Sequence, residues 1–570
     1  MKKNVMALSI AAMIGGLGFA GAASAAVIGG TAGATGTAAN IQAGAMAQRT
    51  ATALSVAEGG VGHALVVPYY NAQNGNMTVL HVTNTDQDNG KLVKVRFRSA
   101  SNSDDVLDFQ VFMSPGDVWT AAVMAGADGV ANIVTADNTC TVPALTKNVA
   151  QPFVQTRLPA YATADAKANM TREGYVEIFN MADVTNVATW DAAGAATATG
   201  TLRSPLFTAT KHVGGVAPCS VAGSAARTLV DTVATTTLTE GAAVARGLQT
   251  PTSGLMGDWY IINVPQTTTF SGAATAIRAT VGAGGANGRG NFVHFPQLDS
   301  AAAGVANELT ADPLFRTANV FTNANAAPAT SPALALLNFD LPDMSTPYVA
   351  AVSATAPLTQ AQALATALRV TSITNQYAND ASISAKTDWV FSMPTRRYNV
   401  AANYAAGATQ ALATAAANYR LFSDFGAVGH ADDMFYPAQA LAPITTGNTS
   451  VDANGNICVI ADSQRFFDRE ETTGGTVPVF SPGTAANVQF CGEVSVLAFR
   501  DTGTSVLGAS VARRTVTTGS YENGWAILGT DNGTKGLPIL GASFIKLENP
   551  SASAGKSGTY GITWPHRFTR

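Results

Sequence analysis

The chain has 570 residues, only 12% of them charged, and a formal net charge of −4. Ordinary soluble proteins carry about 25% charged residues, so this surface is hydrated mainly by hydroxyls, amides and backbone. Near-neutrality over such a length argues against nucleic acid as a partner and removes the self-repulsion that keeps copies of a protein apart.

Lys2 and Lys3 precede an apolar run from Val5 to Ala20, and Ala23-Ser24-Ala25 supplies a small-x-small cleavage pattern. Residues 1–25 therefore read as a bacterial export signal, and the protein is expected at the outer cell surface or outside the cell. No later stretch is long and apolar enough to span a membrane as a helix. Residues 26–60 form a leader rich in Ala, Gly and Thr, with a helical-looking patch from Ile41 to Val56. A chain of this length exceeds one ordinary core, and two β-rich regions are expected, 61–300 and 301–570.

The stretch from His63 to Val123 is written as four or five strands with their turns. Asn74-Gly75 and Asp88-Asn89-Gly90 carry the residue types that accept the positive φ angles of tight hairpins. Val93, Val95 and Phe97 alternate with Lys94, Arg96 and Arg98, the period-two signature of a sheet wet on one face. Leu107, Phe109, Val111 and Met113 repeat the pattern, and Ser114-Pro115-Gly116-Asp117 fits a type II turn. Tyr175 to Phe179 is a further strand. An Ala/Thr-rich insertion at 186–246 reads as a long loop that a disulfide ties down. Strands ending in proline recur at Asp258–Pro265, Phe292–Pro296 and Asp388–Pro394. Helices are expected at Pro357–Leu368 and Ala405–Tyr419, as braces on a sheet. Strands return at Glu493–Arg500, Gly524–Gly529, Ile539–Leu547 and Tyr560–Phe568. The fold class is mainly β, with antiparallel Ig-like β-sandwich domains and a few short helices. The short strands and the terminal Arg570 speak against an outer-membrane barrel.

Four cysteines suit an oxidising compartment, and their clustering favours pairing Cys140 with Cys219 and Cys458 with Cys491 as structural staples. The six histidines lack metal spacing, and the hydrolase elbow, phosphate loop and zinc-protease motifs are absent. Two acidic groups, Asp104, Asp105 and Asp108, and Asp468 with Glu470 and Glu471, are candidates for a glycosidase-like acid and base, although sequence does not bring them together. Asp108, expected to point outward beside Lys94, Arg96 and Arg98, is more simply explained by cross-strand charge pairing. Asp86 and Asp88 in one Asx-rich loop, and Asp452 and Asn454 in another, are candidate ligands for weakly held Ca²⁺. Lys94, Arg96 and Arg98 are a candidate anion contact for lipopolysaccharide phosphates.

The segments VVPYYNAQNGNMTVLHVTNTD, KVRFRSASNSDDVLDFQVFMSPGDVWTA, GDWYIINVP, TDWVFSMPTRRY, FFDREE, GLPILGASF and YGITWPHRF together resemble a group of secreted proteobacterial surface or surface-layer-like proteins. The resemblance covers most strand-rich parts from Ala64 onward. It implies a surface location, and an assembly role by analogy. The expected function is therefore a non-enzymatic structural protein that associates with copies of itself into a surface layer on a Gram-negative cell, with lipopolysaccharide or other envelope glycans as neighbours. The alternative is an extracellular carbohydrate-binding module or adhesin using Trp119, Trp259 or Trp389, and the third choice is a secreted hydrolase.

Overall fold

Alternating apolar residues set up the strands in chain order, β1 (Ala26–Ile28), β2 (Ala53–Val56), β3 (Ala64–Asn71), β4 (Asn76–Asn84), β5 (Gly90–Ser99), β6 (Asp105–Met113) and β7 (Val118–Ala125). β8 (Ala131–Val134), β9 (Cys140–Val142) and β10 (Gln151–Pro152) precede the first helix, α1 (Ala164–Thr171). β11 (Glu173–Val184) leads to α2 (Pro205–Thr210), α3 (Ala225–Thr235) and α4 (Glu240–Val244). Then come β12 (Leu248–Gln249), β13 (Leu255–Asn263), β14 (Thr268–Ala273), β15 (Thr275–Thr280) and β16 (Phe292–His294). This computed structural model describes residues 26–31, 44–159, 161–186, 204–297, 343–346, 348–349, 356–402, 419–421, 449–452, 454–470, 488–499 and, with short breaks, 505–570. The expected export signal at 1–25, most of the helix expected at Ala405–Tyr419, and Glu471 lie outside the described residues.

Two sheets face each other. The larger runs β2-β15-β3-β11-β5-β6-β9 with β12 beside β11, and the smaller runs β10-β8-β7-β4-β13-β14. Val93, Val95, Phe97 and Phe109 of the first meet Leu80, Val82, Trp119 and Trp259 of the second, with the Phe109 and Trp119 ring centroids 5.5 Å apart. This is an antiparallel sandwich of six strands against eight, a larger strand set than the seven-stranded immunoglobulin arrangement.

The turns are where they were expected, but two of them do not make hairpins. Asn74 and Gly75 take φ of 52° and 79°, and the Asn76 N–H donates to the Gln73 carbonyl at 2.9 Å to close the turn. β3 nevertheless belongs to the larger sheet and β4 to the smaller. Past the turn, the Asn71 N–H donates to Thr78 Oγ1 at 2.8 Å and that hydroxyl donates to the Asn71 carbonyl at 2.8 Å, so a side chain stands where a ladder bond would. The chain arches from one layer to the other. The Asp86–Gly90 turn does the same between β4 and β5. Asx-Gly chemistry specifies a reversal, and side-chain hydrogen bonding decides whether it lies in the plane of a sheet or across the sandwich.

The leader and the insertion also differ from expectation. Residues 53–56 are strand β2, paired with β15, rather than part of a helix. The described part of the insertion, from Ser204 onward, is largely helical: Ser204, Ser224 and Thr239 cap α2, α3 and α4 through their hydroxyls. Leu206, Phe207, Val230 and Val233 then pack on Leu92, Phe112, Met181 and Val184, on the second face of the larger sheet.

In the C-terminal part, α5 (Ala356–Leu368) is the expected brace, followed by β17 (Arg369–Val370), β18 (Ser372–Ala378), β19 (Lys386–Ser392), β20 (Val400–Ala402), β21 (Tyr419–Leu421), β22 (Thr449–Val451), β23 (Ile457–Ile460) and β24 (Ser463–Asp468). β25 (Gln489–Cys491), β26 (Val494–Phe499), β27 (Arg513–Val516) and β28 (Asn523–Gly529) lead to β29 (Leu537–Pro538), β30 (Leu540–Ser553), β31 (Lys556–Pro565) and β32 (Arg567–Thr569). A sheet β24-β28-β18-β32 covers one side of a sheet β27-β26-β19-β30-β31, with Tyr377, Ala526 and Leu528 against Trp389, Phe391 and Phe499. The other side of that five-stranded sheet joins the N-terminal core. Phe544 on β30 lies 6.4, 5.9 and 5.5 Å from the rings of Tyr69, Trp259 and Phe270. At Gly561 on β31 an added Cβ would come within 2.1 Å of the Thr269 carbonyl, so only glycine admits this approach of β31 to β14. The regions divided at residue 300 on sequence thus share one core, and burying Phe544 contributes roughly 1.5–3 kcal/mol to holding them together.

Candidate functional site: a buried ion ladder and the cavity at its edge

Because β5 alternates, its odd residues enter the sandwich and Lys94, Arg96 and Arg98 point to the opposite face. That face is not wet. The side chains of these three cations are 4%, 1% and 1% exposed, so the anion contact expected for them at the surface is corrected. The cover that removes them from water comes from the insertion helices and from residues 295–297 and 343, far away in sequence.

Each cation is matched from a neighbouring strand or from the cover. Lys94 Nζ donates to Asp108 on β6 and, at 2.7 Å, to Gln297 Oε1. Arg96 Nη1 and Arg157 Nη1 both donate to Asp105 Oδ2 at 3.0 Å. Arg98 Nε donates to Glu177 Oε2 on β11 at 3.4 Å, and its Nη2 stands 3.7 Å from Asp343 Oδ2, which also pairs with Arg397. Tyr175 O–H donates to Glu177 Oε1 at 3.2 Å and hydrogen-bonds Ser103. The cross-strand pairing expected for Asp108 is present, but inside the protein rather than on its surface.

Burial would raise the Asp108 carboxyl, yet Lys94, Arg96 and Arg157 outweigh it and hold this group well below the usual carboxylate range. Burial likewise opposes ionisation of Asp343, where Arg397 and Arg98 win and the pKa falls. Glu173 goes the other way. Desolvation raises it even though the Ser510 and Val511 N–H groups donate to it at 2.6 and 3.3 Å. Fixed pairs of this kind hold strands in register more than they add stability, because desolvation consumes much of the Coulomb gain.

At the edge of the ladder lies a cavity of about 480 Å³. β9 pairs with β6 only from Gln110 to Phe112, and the edge is taken up again where the Val154 N–H donates to the Val106 carbonyl at 2.7 Å. Between them the chain swings out through residues 143–152 and leaves a recess. Asp105, Asp108, Arg157 and Gln297 line its polar side, and Val142, Pro143, Leu145, Pro152 and Val154 its apolar side.

The remaining sequence candidates are placed elsewhere. Cys140–Cys219 and Cys458–Cys491 are disulfides, and the first ties β9 to the insertion. Asp86 Oδ1 accepts from the N–H groups of Asp88 and Asn89 at 2.9 and 3.0 Å, while Oδ2 accepts from Lys91 Nζ at 3.1 Å. Asp452 accepts from the N–H groups of Asn454 and Asn456, both at 2.8 Å, and pairs with Arg514. Both loops are thus Asx turns whose carboxylates already face a cation, a donor set that does not suit Ca²⁺. Asp452 also lies beside the sulfurs of Cys458 and Cys491, but disulfide sulfurs are not thiolate ligands. Asp468 ends β24, where it accepts from the Glu470 N–H at 3.0 Å. It stands on a different sheet from Asp105 and Asp108.

Trp119, Trp259 and Trp389 are buried, at 0%, 2% and 0% exposure, and offer no platform to a glycan. The sequence reading missed Glu177, Asp343 and Arg397 as partners of the ladder. Glu177 was visible as the one acid inside an apolar alternating strand, whereas nothing in the order of residues pointed to Asp343. Among the described residues no helix is long and apolar enough to cross a membrane. Searches against protein-family models, curated proteins and solved structures returned no match to this chain.

Proposed function

We propose that this chain is an exported, non-enzymatic structural protein of the cell surface that associates with copies of itself into a layer or coat. The observation that carries the reading is where the charges are. Among the described residues fourteen Lys, Arg, Asp and Glu side chains are buried, six of them cations, in a chain that has few ionic residues to begin with. What is left outside includes Val118, Val264, Trp525, Tyr560 and Trp564, all substantially exposed. A surface depleted of charge and dotted with apolar side chains presents little barrier to packing against itself. Two disulfides suit an oxidising compartment. The non-enzymatic reading is supported by the ion pairs that Asp105 and Asp108 make with Lys94, Arg96 and Arg157.

Negative-stain electron microscopy of the purified protein across a concentration series tests this. Sheets or fibres with a regular repeat are expected, and their loss in a Trp525→Glu, Tyr560→Glu variant that keeps the wild-type melting temperature. Dispersed monomers at every concentration, together with no regular array on sheared cell envelopes, would refute it.

A further inference from the structure

We infer that the outer face of the smaller sheet is where two copies of this chain meet, packed face to face about a two-fold axis. The inference rests on the self-association proposed above and names a surface that carries it. The larger sheet has partners on both sides, the smaller sheet on one and the insertion helices on the other. The smaller sheet is covered on one side. Leu80 and Val82 of β4, Trp119 and Val123 of β7, and Trp259 and Ile261 of β13 enter the sandwich, so the residues between them point away from it. Among the described residues, the elements packed closely on β4, β7 and β13 are their sheet neighbours and the strands across the sandwich.

An antiparallel sheet with one wet face ordinarily alternates apolar inward with polar outward. This one does not. Across the strands the outward positions read Met124, Met77 and Ile262 in one row and Ala122, Val79 and Tyr260 in the next. Thr120, His81 and Asp258 make a third row, and Val118, Thr83 and Met256 a fourth, with Val118 45% exposed. β4, β7, β8 and β13 contain no Lys or Arg, and Asp258 is their single carboxylate. In a two-fold contact each surface meets itself, so every charge approaches its own sign. Scarcity of charge is what lets such a face pair with its copy, and it leaves little by which a different protein would be selected. Shape agrees, because an apolar sheet is matched by another of the same twist, the aligned packing that already joins the two layers of this chain. The five strands β8-β7-β4-β13-β14 and the four rows span about 650 Å² at ordinary strand spacings. Two copies would then cover about 1,300 Å², above the roughly 1,000 Å² that a specific interface needs.

A two-fold contact closes on itself, so growth of a layer needs a second surface, and the exposed Trp525 and Tyr560 stand on other sheets. The Trp525→Glu, Tyr560→Glu chain is therefore expected to stop at dimers in sedimentation velocity. Val79 lies on the middle strand of the five and in the second of the four rows, which puts it close to its own counterpart. Val79→Lys and Val79→Glu, each added to that background, are expected to dimerise at least about tenfold more weakly, because like charges then oppose each other. A one-to-one mixture of the two should recover dimers, with melting temperatures unchanged throughout. Ala122→Lys and Ala122→Glu serve in the same way where the Val79 variants fail to fold. Monomers in the Trp525→Glu, Tyr560→Glu background, dimers undiminished by charge at Val79 and Ala122, or no recovery on mixing would overturn the assignment, while regular arrays of the wild type would leave the self-association reading standing. Wild-type monomers that float with neutral phosphatidylcholine vesicles, or that melt at lower temperature once Val79 is charged, would put a lipid surface or a segment of the same chain on this face and overturn it as well.

Discussion

Removal of the Asp183 carboxylate tests whether the buried ions are matched one to one. Asp183 Oδ1 accepts from Lys91 Nζ at 2.7 Å, Asn180 Nδ2 at 2.9 Å and the Thr252 N–H at 3.2 Å, and Oδ2 accepts from Thr252 Oγ1 at 2.6 Å. The side chains of Lys91 and Asp183 are 0% and 2% exposed. Asp183→Ala leaves four donors without this acceptor, one of them an ammonium with no access to water. Breaking a buried pair by deleting one partner costs about 3–5 kcal/mol. Lys91 retains Asp86 at 3.1 Å, which places the expected loss near the lower end, about 3 kcal/mol. Asp86→Ala is the internal control. Its side chain is 18% exposed and its removal leaves the Lys91–Asp183 pair intact, so about 1 kcal/mol is expected. Urea unfolding followed by tryptophan fluorescence, with disulfides oxidised throughout, reads both variants. Equal losses, or a loss below about 1 kcal/mol for Asp183→Ala, would refute the view that Asp183 is the principal counter-ion of Lys91.

The two disulfides differ in the chain they close, with sequence separations of 79 and 33 residues. Replacing Cys140 and Cys219 by alanine should therefore cost about 4–5 kcal/mol and replacing Cys458 and Cys491 about 3–4 kcal/mol in the chain-entropy model, measured as denaturation midpoints. Burial pushes His63 and His294 down to about 4 and His566 to about 3, against about 6.5 in an unfolded chain. The unfolded state then takes up protons first as pH falls. Stability is full above pH ~6.5 and is lost toward pH ~4, by about 1.4 kcal/mol per pH unit for each histidine. His566→Gln should flatten the melting temperature against pH in that window, and an unchanged slope would contradict the burial argument. Trp525 and Trp564 are 39% and 43% exposed, so acrylamide should quench them strongly. Trp525→Phe and Trp564→Phe should each reduce the quenchable fraction of the emission, whereas Trp389→Phe should not.

Local signals carried well from sequence to structure. Val93, Val95 and Phe97 line the sandwich as their alternation requires. Ser114 to Asp117 turns with Gly116 at φ 68°, and Pro357 to Leu368 lies within α5. Both cysteine pairs join as their spacing suggested. What failed was the inference that the charged face of β5 and β6 meets solvent. Lys94, Arg96 and Arg98 alternate with apolar residues in the manner of a half-wet strand, and the period-two rule says only that two faces differ, not what covers each. The cover is supplied by Gln297, Phe295, the end of α3 and Asp343, more than a hundred residues along the chain. The hairpin reading of Asn74-Gly75 failed for a related reason, since positive φ at two residues reverses a chain without choosing the layer it returns to.

The cavity was out of reach of the sequence on the same grounds. The recess exists because β9 stops at Val142 and the chain passes out through Pro143 and Pro152 before Val154 rejoins the edge of β6. Proline has no N–H to offer a ladder, so two prolines bracketing this loop keep it from closing onto the strand it leaves. Interrupting a sheet edge in this way leaves the ladder's outermost ions, Asp105 and Asp108, on the lining of a recess while their side chains stay only 4% and 8% exposed. If the break matters, Pro143→Ala together with Pro152→Ala should leave the pairings of β5 with β6 unchanged and let the loop approach Asp108. Amide hydrogen exchange across residues 144–151 would then slow in the doubly substituted protein while its melting temperature stays level, and exchange equal to wild type would show that the prolines do not hold the recess open.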